Sequence, residues 1–144
     1  MRVSEIMTKD LTAVEKDISV RELIFILNSA DISVMPIVDD DGVLIGIISE
    51  KDLIKAALPG YFEMLHSTSF IPDLNQFSTK LAKIARDPIE RYMKRDVVSI
   101  AVDDDDLQAA DLLIRKNLRS LPVIDKEGRL AGVVRRIDLL RNLL

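Results

Sequence analysis

The chain has no cysteine and no tryptophan, a single histidine (His66), and only five glycines and five prolines in 144 residues. Without cysteine there is neither a disulfide framework nor a thiolate metal site, and one histidine excludes the common zinc constellations, so no metal is expected. Scarce Gly and Pro beside 48% hydrophobic and 31% charged residues exclude a disordered chain and fit a globular one. No apolar run approaches the ~20 residues of a membrane-spanning helix. The opening MRVSEIMTKD lacks the apolar core of a signal peptide, which makes the cytoplasm the expected location. The signatures of catalysis are missing too. There is no GxxxxGK[ST] phosphate loop, no GxGxxG, and no Ser-His-Asp-like set beyond the solitary His66, so the chain is not expected to be an enzyme.

What the chain does contain is a repetition. An offset of 86 residues carries Val3–Leu58 onto Ile89–Leu144 without a gap, placing Pro36 on Pro122, Gly42 on Gly128, Gly46 on Gly132 and Asp52 on Asp138. The expected organisation is a first repeat over 1–58, a linker over 59–88 and a second repeat over 89–144. Each 56-residue repeat alone is marginal for a core, so the two are expected to pack into one module.

Within each copy the pattern predicts a single helical turn (Val3–Met7, Ile89–Met93), then a short strand (Leu11–Val14, Val97–Ile100). A helix follows over 20–29 and 106–117, started by the polar pairs Ser19/Glu22 and Asp105/Gln108. Its apolar stripe reads Leu23, Ile24, Ile26, Leu27 in the first copy and Leu107, Ala110, Leu113, Ile114 in the second, all assigned to the core. A hairpin comes next: Val34–Val38 and Val43–Ile48 flank Asp39–Gly42, a run of turn formers with Gly last. From Ser49 the period becomes helical, with Leu53, Ile54 and Ala57 matched by Leu139, Leu140 and Leu143. The fold class is α+β, strand–helix–hairpin–helix twice, with the repeats related by a pseudo-twofold axis and joined by a helical linker.

In each copy a strand thus runs directly into a helix start, where unpaired N–H groups favour an anion. The first junction reads Gly46-Ile47-Ile48-Ser49-Glu50-Lys51-Asp52 and the second Gly132-Val133-Val134-Arg135-Arg136-Ile137-Asp138. Ser49 with Asp52 has a purely structural explanation as a cap. Asp138 has less of one, because arginine offers no acceptor with which to cap.

These junctions resemble the CBS domain, whose pattern is Gly, two apolar residues, Ser or Thr, two variable residues, then Asp; the whole resembles the tandem CBS pair, or Bateman module. The first copy matches the pattern fully, and the second carries Arg135 in place of the hydroxyl. The resemblance implies a regulatory module that binds an adenine nucleotide in the cleft between its repeats and needs no cofactor. It implies that the Asp carboxylate accepts from ribose hydroxyls and the Ser or Thr approaches phosphate, with adenine held by the other repeat. One site then combines Ile47, Ser49 and Asp52 with Val97, Val98 and Leu118. The other combines Val133, Arg135 and Asp138 with Leu11, Thr12, Ile32 and Ser33, and Arg119 matches a position that is often basic and phosphate-facing. Guanidinium groups bind phosphate oxygens through planar, charge-assisted bonds, so the Asp138 site is expected to prefer the more phosphorylated ligand.

The linker holds Tyr61, Phe62, Phe70 and Phe77, and Leu74, Phe77, Leu81, Ile84 and Ala85 fall at helical spacing after Pro72. Phe62, Phe70 and Phe77 are expected to be buried, under the linker or at a homodimer contact. The competing expectation for the whole chain is an interaction or dimerisation module with an empty cleft. Residues 107–144 carry eight Lys and Arg against four acids and residues 21–58 three against seven, yet the net charge of −4 speaks against nucleic acid as a partner. The expected partners are an adenine nucleotide, a second copy of the chain and an effector protein.

Overall fold

Polar side chains cap the helices that start at Val20, Glu50 and Asp106. The structure, a computed structural model, describes residues 1–58 and 75–144. Ser19 accepts from the Glu22 N–H at the start of α2 (Val20–Ala30), α1 being the single turn Val3–Ile6. Asp105 and Gln108 cap reciprocally at the start of α5 (Asp106–Arg115). Between them run β1 (Val34–Val38), β2 (Leu44–Ser49), α3 (Glu50–Ala57), α4 (Gln76–Ile84), the 3-10 turn Ile89–Arg91 and β3 (Ile100–Ala101). After α5 come β4 (Ser120–Ile124), β5 (Leu130–Arg135), α6 (Arg136–Leu140) and the 3-10 turn Arg141–Leu143.

The duplication extends to the backbone of the turns. Helices α2 and α5 are each followed by a left-handed residue, Asp31 (φ 53°) and Asn117 (φ 52°), at equivalent positions, where the short polar side chain tolerates what a branched one would not. The hairpin turns are twins as well. Asp39 Oδ1 accepts from the N–H groups of Asp41 and Val43, Asp125 Oδ1 from those of Glu127 and Arg129, and Gly42 and Gly128 supply the positive φ.

The expected strands Leu11–Val14 and Val97–Ile100 are mostly not ladders. Among the described residues their pairing is confined to Val14 with Ile37 and to Ile100–Ala101 with Val123–Ile124, both parallel. One step further back in each register stands Pro36 or Pro122, which has no N–H to donate, and there the pairing stops.

The chain divides into two compact units that cut across the repeats: Met1–Glu15, Pro36–Gly46 and Arg95–Leu144 in one, Lys16–Met35 and Ile47–Lys94 in the other. In the first, β3, β4 and β5 form a sheet whose buried Ile100, Leu121, Val123 and Val134 pack with Ala109 and Leu113 of α5. Val3 joins this core although it belongs to the first repeat, held by the hydrogen bond from its N–H to Asp104 O. In the second unit the buried side chains include Val20, Leu23, Leu27, Ile48, Leu53 and Ile84. Here the fully buried Ile89, from the second repeat, takes the equivalent part, its N–H donating to Ile18 O. The leading segments of the two repeats are therefore exchanged.

The helix faces correct the apolar assignment. In α5 the inward ridge is Ala109–Leu113, so Leu107 and Ile114, seven residues apart on the opposite side, are 75% and 74% exposed. In α2 the ridge Val20–Leu23–Leu27 leaves Ile24 exposed. The linker helix is present as α4, with Ile84 buried, but Phe77 is 37% exposed rather than buried. Tyr61, Phe62, Phe70 and Leu74 lie outside the described residues.

Candidate functional site

In the first unit β5 ends at Arg135 and α6 starts at once, which carries Asp138 back over the end of the strand. Its side chain is 0% exposed. The Arg135 backbone N–H donates to Oδ2 at 2.8 Å. Oδ1 takes the Thr8 hydroxyl at 3.2 Å, the Arg141 guanidinium at 3.0 Å and that of Arg135 at 3.5 Å. Arg135 also donates to Thr8 Oγ1 at 3.0 Å. A buried carboxylate is tolerated only when its charge is met in this way.

In the second unit β2 ends at Ser49 and α3 follows. The Ser49 backbone N–H donates to Asp52 Oδ2 at 2.9 Å and its hydroxyl to the same oxygen at 3.0 Å, while the Asp52 N–H returns a bond to Ser49 Oγ. The other oxygen, Oδ1, faces Lys94 Nζ at 3.5 Å. Ser33 belongs to this junction through its carbonyl, which accepts from the Glu50 N–H at 2.9 Å.

The exchanged segments bring Thr8 and Lys94. Thr8 pairs with Val133 through two backbone bonds (2.8 and 2.9 Å), and Lys94 with Ile47 through another two (2.9 and 2.8 Å). The offset of 86 that aligns Ile47 with Val133 also aligns Thr8 with Lys94. This contact explains the motif glycine in the second copy, since a Cβ on Gly132 would stand 2.6 Å from the Thr8 carbonyl oxygen.

Of the expected site residues, the structure gathers Val133, Arg135 and Asp138 at one junction and Ile47, Ser49, Asp52 and Ser33 at the other. Thr12 lies in an exposed loop and donates both its N–H and its hydroxyl to Asp10 Oδ1. Those bonds hold the Asp10 carboxyl below its ordinary range, and the charge of Arg135 acts in the same direction. Leu11 is exposed, Ile32 half-buried after α2, and Arg119 exposed just ahead of β4. Val98 and Leu118 pack against the core of the first unit, with Val97 half-buried beside Val98. Leu118 O accepts from Arg136 Nε at 2.9 Å.

Thr8, Lys94 and Arg141 were not legible as site residues. The offset pairing of Thr8 with Lys94 was the available signal for two of them. Among the described residues no cluster of acidic or histidine side chains could hold a metal, and no helix is long and apolar enough to cross a membrane.

Known proteins are similar in sequence and in fold. The CBS domain family matches residues 3–59 and 89–144. A CBS domain-containing protein of Dictyostelium discoideum is 34% identical over 142 residues, covering 99% of this chain and 90% of its own length. Among solved structures, CBSX2 of Arabidopsis thaliana in complex with AMP superposes with a TM-score of 0.74 at 24% identity, covering 99% of this chain and 95% of that one. The CBS domain pair of MJ0100, in complex with 5′-methylthioadenosine and S-adenosyl-L-methionine, gives 0.68 at 26% identity over 99% and 95%. With the family matched over both repeats and the mixed helix-and-strand fold of a tandem CBS pair on either side of the linker, the chain belongs to the CBS domain family.

Proposed function

We propose that the chain is a regulatory sensor, not an enzyme, and that it binds an adenine nucleotide through Asp52 and Asp138. The observation that carries this reading is the shared treatment of the two carboxylates. In each, Oδ2 is fixed by the backbone N–H of the strand's last residue, while Oδ1 is met by side-chain donors, Lys94 at Asp52 and Thr8, Arg135 and Arg141 at Asp138, one of which a ribose hydroxyl would replace. The adenosyl compounds bound by the MJ0100 pair carry the same ribose.

The remaining contacts follow the family resemblance. Leu11 and Thr12 would serve the Asp138 site, with Arg119 meeting phosphate, and Val97, Val98, Leu118 and Ile32 are further ligand contacts that the resemblance implies; Ser33, expected at the Asp138 site, instead accepts from the Glu50 N–H at the Asp52 junction. Arg135 already donates to Asp138 and Thr8, so Arg119 is the freer cation for that purpose. A thermal-shift panel tests the reading, because a ligand specific to the folded state raises Tm by mass action. AMP, ADP or ATP at millimolar concentration raises Tm; no shift with any of them overturns the proposal.

A second reading, self-association, has its own observation. Leu107 and Ile114 are exposed on α5, where the first repeat has Arg21 and Asn28 at the equivalent positions. We infer that a second copy covers this face, and the opposite charge balance of the two repeats favours a basic half meeting an acidic one. Light scattering should show a dimer in the wild type and a monomer for Leu107→Glu/Ile114→Glu.

A further inference from the structure

Arg141 lies three residues beyond Asp138, in the 3-10 turn Arg141–Leu143 that follows the short α6. That turn buries none of its residues, and Leu143 is 93% exposed. Its ties to the rest of the unit include the backbone bond from the Arg141 N–H to Ile137 O, the pair between Arg141 and Asp138 Oδ1 at 3.0 Å and a contact from Asn142 Nδ2 to Met1 Sδ at 3.1 Å. A turn with no apolar burial owes its order to such polar contacts. In the first repeat the equivalent residue is Lys55, inside the longer α3, which continues to the buried Ala57. The cation on Asp52 Oδ1 there is Lys94, from a different segment.

We propose that Arg141 is a displaceable latch on Asp138, so that a ligand whose cis-diol takes Oδ1 frees the turn Arg141–Leu143 and converts occupancy into a change on the surface of the unit. The inference rests on the adenine-nucleotide reading given above. Arg141 and the diol are both donors and compete for one oxygen whose remaining capacity is limited by Thr8 and Arg135. Because Arg141 is half exposed, its release returns the guanidinium to water at small cost. The device belongs to the second repeat alone: in the first, the same competition would release Lys94, whose backbone stays paired with Ile47.

The test uses the full chain carrying Asp52→Asn, so that binding reports on the Asp138 site. Amide 15N heteronuclear NOE values for residues 142–144 read the order of the turn on the picosecond–nanosecond scale, and calorimetry reads AMP affinity. Saturating AMP lowers the NOE values of residues 142–144 to those of a mobile segment. Arg141→Gln shows the lowered values before AMP is added and binds AMP about fivefold more tightly, as expected when a half-exposed competing cation is removed. Arg141→Lys, which keeps the charge without the planar fork, falls between the two. If AMP binds while the turn keeps its order and Arg141→Gln does not change affinity, the latch is overturned and the sensor reading stands. If AMP binds neither the Asp52→Asn chain nor the wild type, both fall together.

Discussion

The Asp52 and Asp138 junctions are two solutions to one problem, and they differ by an exchange of parts. At Asp52 the hydroxyl comes from the motif (Ser49) and the cation from the exchanged segment (Lys94). At Asp138 the motif supplies the cation (Arg135) and the exchanged segment the hydroxyl (Thr8), with Arg141 added. Arginine in place of the motif hydroxyl therefore does not leave its carboxylate short of partners. The pair of positions carries one hydroxyl and one cation in each copy, and duplication has left open which position carries which.

That comparison can be broken most severely at its hinge, the close approach of the exchanged segment. Gly132→Ala puts a Cβ 2.6 Å from the Thr8 backbone oxygen, and neither strand can yield without losing its paired bonds. A loss of about 3 kcal/mol is expected, the upper end for overpacking, measured by urea denaturation. Gly42→Ala, where φ is 83° but nothing lies within 4 Å, should cost only about 1–2 kcal/mol from the backbone conformation.

Removing the carboxylates comes next. Asp138→Ala leaves a partly buried junction N–H and two guanidinium groups without their acceptor and should cost about 2 kcal/mol. Asp52→Ala should cost about 1 kcal/mol, because the cation facing it, Lys94, is largely solvated. Equal losses in the two variants would show that the extra arginine contributes nothing.

A double-mutant cycle sharpens the exchange itself. Arg135→Ser and Thr8→Lys each remove one half of the second junction, whereas together they recreate the Ser49/Lys94 arrangement. A favourable coupling of about 1 kcal/mol is expected for groups in direct contact, and strict additivity would contradict the interchange.

The smallest effect lies in the loop beside Arg135. Asp10 is held low chiefly by Thr12, so its stabilisation is present above the ordinary carboxylate pKa and disappears as pH falls through the lowered value. In Thr12→Val the loss at pH 7 should be only about 0.3 kcal/mol, given solvent screening, and should shrink as pH falls below the ordinary carboxylate range.

Much of this was legible because it is local. The hairpin turns at Gly42 and Gly128, the caps Ser19, Ser49 and Asp105, and the 86-residue offset follow from neighbours in sequence. Asp52 and Asp138 stood out because one residue type recurs at one place in a repeat. What escaped was set by tertiary exchange. No local pattern shows that Val3 packs with the second repeat or that Ile89 aligns with the first, and hence that Thr8 and Lys94 reach the carboxylates. The apolar face of α5 was misassigned for a related reason. Leu107, Ala110, Leu113 and Ile114 satisfy helical spacing, yet only contact with the sheet decides that Ala109 and Leu113 point inward.

Isothermal titration of AMP into the wild type and into Asp52→Asn/Asp138→Asn tests the central claim most directly. Asparagine keeps the size of the side chain and one acceptor oxygen but removes the charged acceptor for the diol. The account predicts saturable heat in the wild type and none in the folded double variant. Undiminished binding in the double variant would contradict it, because the two aspartates would then not be the groups that hold the nucleotide.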